Sequence, residues 1–157
     1  MILANIRALG VLAAAASLSL LGTRPVSAAL GSDAASVERD SARMRAQHIA
    51  TPMLHYERHD IKTGTGGAVT EFVSRSGKVF AVTWHAQFPP DLSALFGSYY
   101  DSYRTAVAAQ SAPGNHRHVT VVQPDLVVSA FGRVGTFKGV AYVPSLVPVG
   151  FDLADLR

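Results

Sequence analysis

The chain contains no cysteine. That single absence removes disulfide bridges, thiol nucleophiles, thiolate zinc sites, disulfide exchange and c-type haem attachment from consideration. Charged residues are also scarce, at 16% of the chain. No apolar run reaches the roughly 20 residues needed to span a bilayer core. The motifs of the common enzyme chemistries are missing too. Ser76-Gly77-Lys78-Val79 carries the Gly-Lys of a phosphate loop, but Phe72 stands where the first glycine of G-x-x-x-x-G-K-[ST] belongs. Val79 stands where the magnesium-binding hydroxyl belongs, so neither the phosphate cradle nor the metal ligand exists. No G-x-S-x-G elbow occurs, since Leu95-Phe96-Gly97-Ser98-Tyr99-Tyr100 lacks its second glycine.

What the chain does contain begins with an export signal. Arg7 supplies a positive start, Ala8 to Leu21 an apolar run of 14 residues, and Val26-Ser27-Ala28 a small-residue cleavage box. The expected division is a cleaved signal over 1–28 and a single domain over 29–157. No twin arginine precedes the run, which favours the general secretory route. The expected location is therefore periplasmic or secreted, with no membrane span after processing. The full chain has 14 basic and 11 acidic residues; losing Arg7 and Arg24 with the signal leaves 12 against 11. A mature charge near zero, with basic residues scattered singly along the sequence, predicts no nucleic-acid partner.

In the mature part, Ser32 and Asp33 are good helix caps, and Val37 and Met44 sit among charges, which predicts a first helix over about Asp33–Gln47. Strand candidates follow at 53–61, 68–74 and 78–85, then at 118–122, 125–131 and 136–143. Arg75-Ser76-Gly77 joins two of them as a tight hairpin in which Gly77 takes positive φ. Pro89-Pro90-Asp91 starts a second helix, and Leu92, Leu95, Phe96, Tyr99, Tyr103, Ala106 and Val107 form its apolar stripe, with Gly97 a point of bending or division. Prolines 144 and 148 lay the tail along the surface. The expected fold is α+β, two main helices packed on a largely antiparallel sheet of about five to six strands.

Candidate functional residues fall into three sets. His55, Glu57 and His59 share a face of a predicted strand, and His116 and His118 lie near another strand's start, giving weak metal candidates of late-transition-metal type. The acids Glu57, Asp60, Glu71, Asp91 and Asp125 would serve a hydrolase only if two converge in the fold. Trp84, His85, Tyr99, Tyr100 and Tyr103 form an aromatic-rich region suited to a partly wet binding surface, with core packing as the alternative. With no motif that carries a mechanism, the reading is a binding or accessory module for an envelope protein or ligand, without a cofactor and working by binding rather than by catalysis. A hydrolase and a histidine-based metal binder are its alternatives.

The combination of "TEFVSRSGKVFAVTWHAQFPPDLSALFGSYY", "PDLVV" and "GVAYVPSLVPVGFDLADLR" resembles a family of small exported bacterial proteins known only as a domain of unknown function. Its patterns are G-K-V-F-A-V-x-W, P-D-L-x-x-L-x-G-x-Y and A-Y-V-P-S-L-x-P. The resemblance spans nearly all of the mature chain and implies a signal peptide and an extracytoplasmic location. It brings no catalytic or binding residues with it.

Overall fold

A computed structural model describes residues 29–35, 47–110 and 117–156. The signal segment and residues 36–46 of the expected first helix lie outside the described residues.

Seven strands form one antiparallel sheet: β1 Gln47–Pro52, β2 Tyr56–Lys62, β3 Ala68–Ser74, β4 Val79–Ala86, β5 His118–Val122, β6 Val127–Arg133 and β7 Thr136–Tyr142. Their spatial order is β1-β2-β3-β4-β7-β6-β5. Between β4 and β5 runs one helical stretch of 18 residues: α1 Leu92–Phe96, a 3-10 turn Gly97–Tyr99, and α2 Tyr100–Ala109. The expectation of two main helices on five to six strands is thus overturned, and the molecule is mostly β. Gln47, expected at the end of a helix, opens β1 instead. Pro52 misled, because it reads as a strand breaker, yet β1 is an edge strand and an edge tolerates proline.

The hairpin β3–β4 forms through Gly77, whose φ is +79°. The Gly77 amide donates to the Ser74 carbonyl at 2.8 Å, and the Ser74 amide to the Lys78 carbonyl at 2.8 Å. The register slips between Phe72 and Val73, so Val73 faces Val79 while Phe72 faces Ala81. That bulge adds a residue to β4 and lets Val79 and Phe80 both be fully buried, on opposite faces of the sheet.

One face carries the helical stretch. Val82 and Trp84 of β4, Ile61 of β2, Val128 of β6 and Ala141 of β7 share one buried core with Phe96, with Leu92, Leu95, Tyr99 and Tyr103 packed against it. Full burial of Phe96 contributes roughly 2 to 3 kcal/mol. The chain divides at Gly97 because residue 29 crosses there. A Cβ at Gly97 would lie 2.6 Å from the Ala29 Cβ, and the Leu30 amide donates to the Leu95 carbonyl at 3.1 Å.

Among the described residues, the tail covers one end of the other face. Phe151 sets its ring 4.8 Å from that of Phe80 and 5.0 Å from that of Tyr56, with Leu156 buried beside them. Farther along that face Lys62, Ala68, His85, Lys138 and His118 are exposed. No helix among the described residues is long and apolar enough to cross a membrane.

Candidate functional site

On the helix-bearing face, where the β2–β3 turn meets the start of α1, the structure holds a cavity of about 280 Å³. Both of its rims follow from local sequence. Thr63 closes the turn: its amide donates to the Gly67 carbonyl at 2.9 Å, and its hydroxyl accepts from the Gly67 amide at 3.0 Å. Gly67 has no room for a side chain there, since a Cβ would stand 2.9 Å from the Thr63 hydroxyl and 3.3 Å from the Ala86 Cβ. Opposite, Pro89-Pro90 ends the sheet and brings the chain back across its face, leaving Phe88 exposed at the mouth. Asp91 then caps α1, accepting from the Ser93 amide at 3.0 Å, the Ala94 amide at 3.1 Å and the Ser93 hydroxyl at 2.6 Å. Those bonds, the Ser93 hydroxyl foremost, hold the Asp91 carboxyl below its ordinary value.

The walls are apolar: Ile61, Val69, Trp84, Ala86 and Leu95. Glu71 reaches the cavity from β3, where it is 2% exposed. Its cross-strand neighbour on β2 is His59, also 2% exposed. His59 continues the polar cluster, with its Nδ1 2.9 Å from the His48 Nε2, the two rings stacked at 5.0 Å, and its Nε2 3.8 Å from the Glu57 carboxylate.

The acids named as hydrolase candidates do not make an acid/base pair in this cavity. Glu71 and Asp91 both line it, but the Asp91 carboxylate is committed to the helix cap and held ionised. Glu57, Asp60 and Asp125 do not line it.

The aromatic region of the sequence is split by the fold. Trp84 lines the cavity. Its ring meets Phe96 at 5.8 Å, Phe96 meets Tyr103 at 5.0 Å, and Tyr103 lies 6.3 Å from Tyr100. Tyr99 packs over Gly31. The three tyrosines are half-buried core partners rather than an open patch, and burial raises the Tyr103 phenol above its ordinary value. His85 is exposed on the opposite face of β4 from Trp84, so the structure does not bring it to the other four.

The histidine candidates do not converge either. His55 packs against Gly150 at the tail, His59 is buried under the helix-bearing face, and His118 is exposed on edge strand β5. β2 and β5 are five strand spacings apart, roughly 24 Å. His116 lies outside the described residues. Among the described residues no group of three histidine or acidic side chains is placed to hold a metal ion. Sequence reasoning missed the cavity's rims, although Thr63-Gly64-Thr65-Gly66-Gly67 and Pro89-Pro90-Asp91 were its visible signals.

The family described as "Protein of unknown function (DUF2844)" matches residues 26–156, and the chain belongs to that family. Comparison with curated proteins and with solved structures returned no match.

Proposed function

We propose that the protein is an exported, non-catalytic binding module of the bacterial envelope that takes a small apolar or amphiphilic ligand in the cavity beside Trp84. The observation that carries the reading is the cavity itself, with its apolar walls, two backbone-braced rims and a few polar groups. Binding sites for small molecules have that composition, and this volume is near the lower end of their range, which selects a ring or a short chain. Export is supported by the signal-like layout of residues 1–28 and by a family match that starts at residue 26, beside the expected cleavage point.

Trp84 is the only tryptophan and lines the cavity, so the protein's tryptophan emission comes from the cavity wall. Titration of the purified mature protein with toluene and with hexanol is expected to change that emission saturably. Ala94→Leu projects from α1 into the cavity and is expected to weaken both ligands about tenfold while the fold is kept. Emission that changes only linearly with probe, or Ala94→Leu binding as wild type does, removes the cavity from consideration. Recovery of the protein from the cytoplasmic rather than the periplasmic or culture fraction removes the envelope assignment.

A further inference from the structure

The open face of the sheet holds an assembly that no linear reading reveals. Across β2, β3, β4, β7, β6 and β5, Lys62 pairs with Ala68, Ala68 with His85, His85 with Lys138, Lys138 with Phe131, and Phe131 with His118. Strand alternation puts all six on the face opposite the helix, since Ile61 and Trp84, their chain neighbours, are buried on the helix side. The row spans five strand spacings, roughly 24 Å. Its basic members are exposed, and Phe131 is half-buried between Lys138 and His118. Arg133, two residues beyond Phe131 and exposed, extends the basic character on the same face.

None of these basic groups makes an ion pair among the described residues; the four ion pairs lie elsewhere. The adjacent cross-strand row consists of Asp60, Thr70, Thr83, Val140, Ser129 and Thr120. Its one acid, Asp60, is held by Arg58 at 2.9 Å and by the Thr70 hydroxyl at 2.7 Å. The face therefore presents a cross-strand row of basic side chains with one aromatic ring, bordered by the hydroxyls of Thr70, Thr83, Ser129 and Thr120 with Val140 among them.

We propose that this row binds a linear acidic polysaccharide laid across the strands. Negative charge on the ligand answers Lys62, Lys138 and Arg133, the ring of Phe131 offers a stacking surface, and the neighbouring hydroxyls match a sugar's own. Duplex nucleic acid fits less well, because three permanent cations neutralise few phosphates. An anionic bilayer fits less well too, because the bordering row carries four hydroxyls against one apolar side chain, Val140. This face is separate from the cavity beside Trp84, and the two readings stand or fall independently.

The test is affinity electrophoresis and calorimetry of the mature protein with polygalacturonate, beside neutral dextran, duplex DNA and vesicles containing phosphatidylglycerol. Polygalacturonate is expected to bind most tightly and to be released by salt. Lys138→Glu with Arg133→Glu is expected to weaken it about tenfold or more, and Phe131→Leu severalfold. Arg104→Glu, on α2, is expected to change nothing. Circular dichroism and Trp84 emission verify that each variant is folded. Full binding by the double charge reversal overturns the proposal, as does tighter binding of DNA or vesicles. Unchanged affinity in Phe131→Leu reduces the row to a charge-only surface and overturns the sugar assignment.

Discussion

Gly139 of β7 lies directly beneath the Trp84 indole, and Gly139→Ala is the substitution that tests most directly how the sheet and the cavity are joined. The backbone there needs no glycine for its torsions, so any cost is steric. A Cβ on residue 139 would sit 2.2 Å from Trp84 Cζ2, 2.7 Å from Cη2 and 2.7 Å from the Ser129 carbonyl oxygen. Carbon atoms rest at about 3.5 to 4.0 Å, so the indole must retreat by roughly 1.5 Å. It cannot move along the sheet without meeting Phe96, and the space left to it is the cavity it lines. The carbonyl belongs to the paired strand β6 and yields less readily. Overpacking of this kind costs about 1 to 3 kcal/mol, and the backbone contact puts Gly139→Ala near the upper end, a fall in Tm of roughly 10 °C. Thermal unfolding followed by circular dichroism measures the cost, while the emission maximum reports the ring's displacement. Trp84→Phe removes the atoms that collide, so Gly139→Ala should cost much less in that background. Wild-type stability and emission in Gly139→Ala, or an equal cost in both backgrounds, would refute the account.

Gly77→Val is expected to cost on the order of 1 to 3 kcal/mol through its positive φ alone, because a Cβ there meets nothing within 4 Å; Gly77→Asn should cost far less, and the two denaturant midpoints decide it. Asp91→Ala is expected to lose about 1 kcal/mol of helix capping at neutral pH. Because the folded Asp91 carboxyl titrates below its ordinary value near 3.8, its contribution is full above that value and disappears as pH falls through the lowered one. Wild type and Asp91→Ala should therefore converge as the carboxyl is protonated, and a stability gap that does not narrow as pH falls below the ordinary carboxyl value would contradict the cap. The mature chain is expected to begin at Ala29 rather than Leu30, since Ala29 is 4% exposed, fills the notch at Gly97 and accepts from the Ser32 amide at 2.8 Å. The intact mass of protein recovered from the periplasmic or culture fraction settles the choice, and a soluble species retaining residues 1–28 would defeat it.

Local features were legible in the sequence wherever a short-range rule governs them. The Gly77 turn, the Asp91 start and the apolar stripe from Leu92 to Val107 all follow from propensities within a few residues, and each stands where its residues imply. Features that depend on pairing across the sheet were not legible. β1 contributes Ile49 as its one large aliphatic side chain, and that residue is 61% exposed, so the alternation that marks a buried strand is absent from it. Phe151, in a proline-flanked tail expected to lie on the surface, forms ring contacts with Tyr56, Phe72 and Phe80 and closes a second core.

The same distinction explains the two candidate sites. Strand alternation correctly places His85 opposite Trp84, but it does not give the neighbours that decide what His85 does. Those neighbours are Lys138 on β7 and, beyond it, Phe131 on β6, brought beside it because β7 rather than β5 pairs with β4. With sequential pairing, β4 beside β5, His85 would not stand beside Lys138 and the basic side chains would remain scattered. The strand order β4-β7-β6-β5 converts single basic residues into a row, and the bulge after Phe72 sets which residues of β4 face it. Chemistry on this face is thus a property of topology, and a deletion that shifted β7 by one residue would send Lys138 to the helix side and disperse the row while leaving composition and charge almost unchanged.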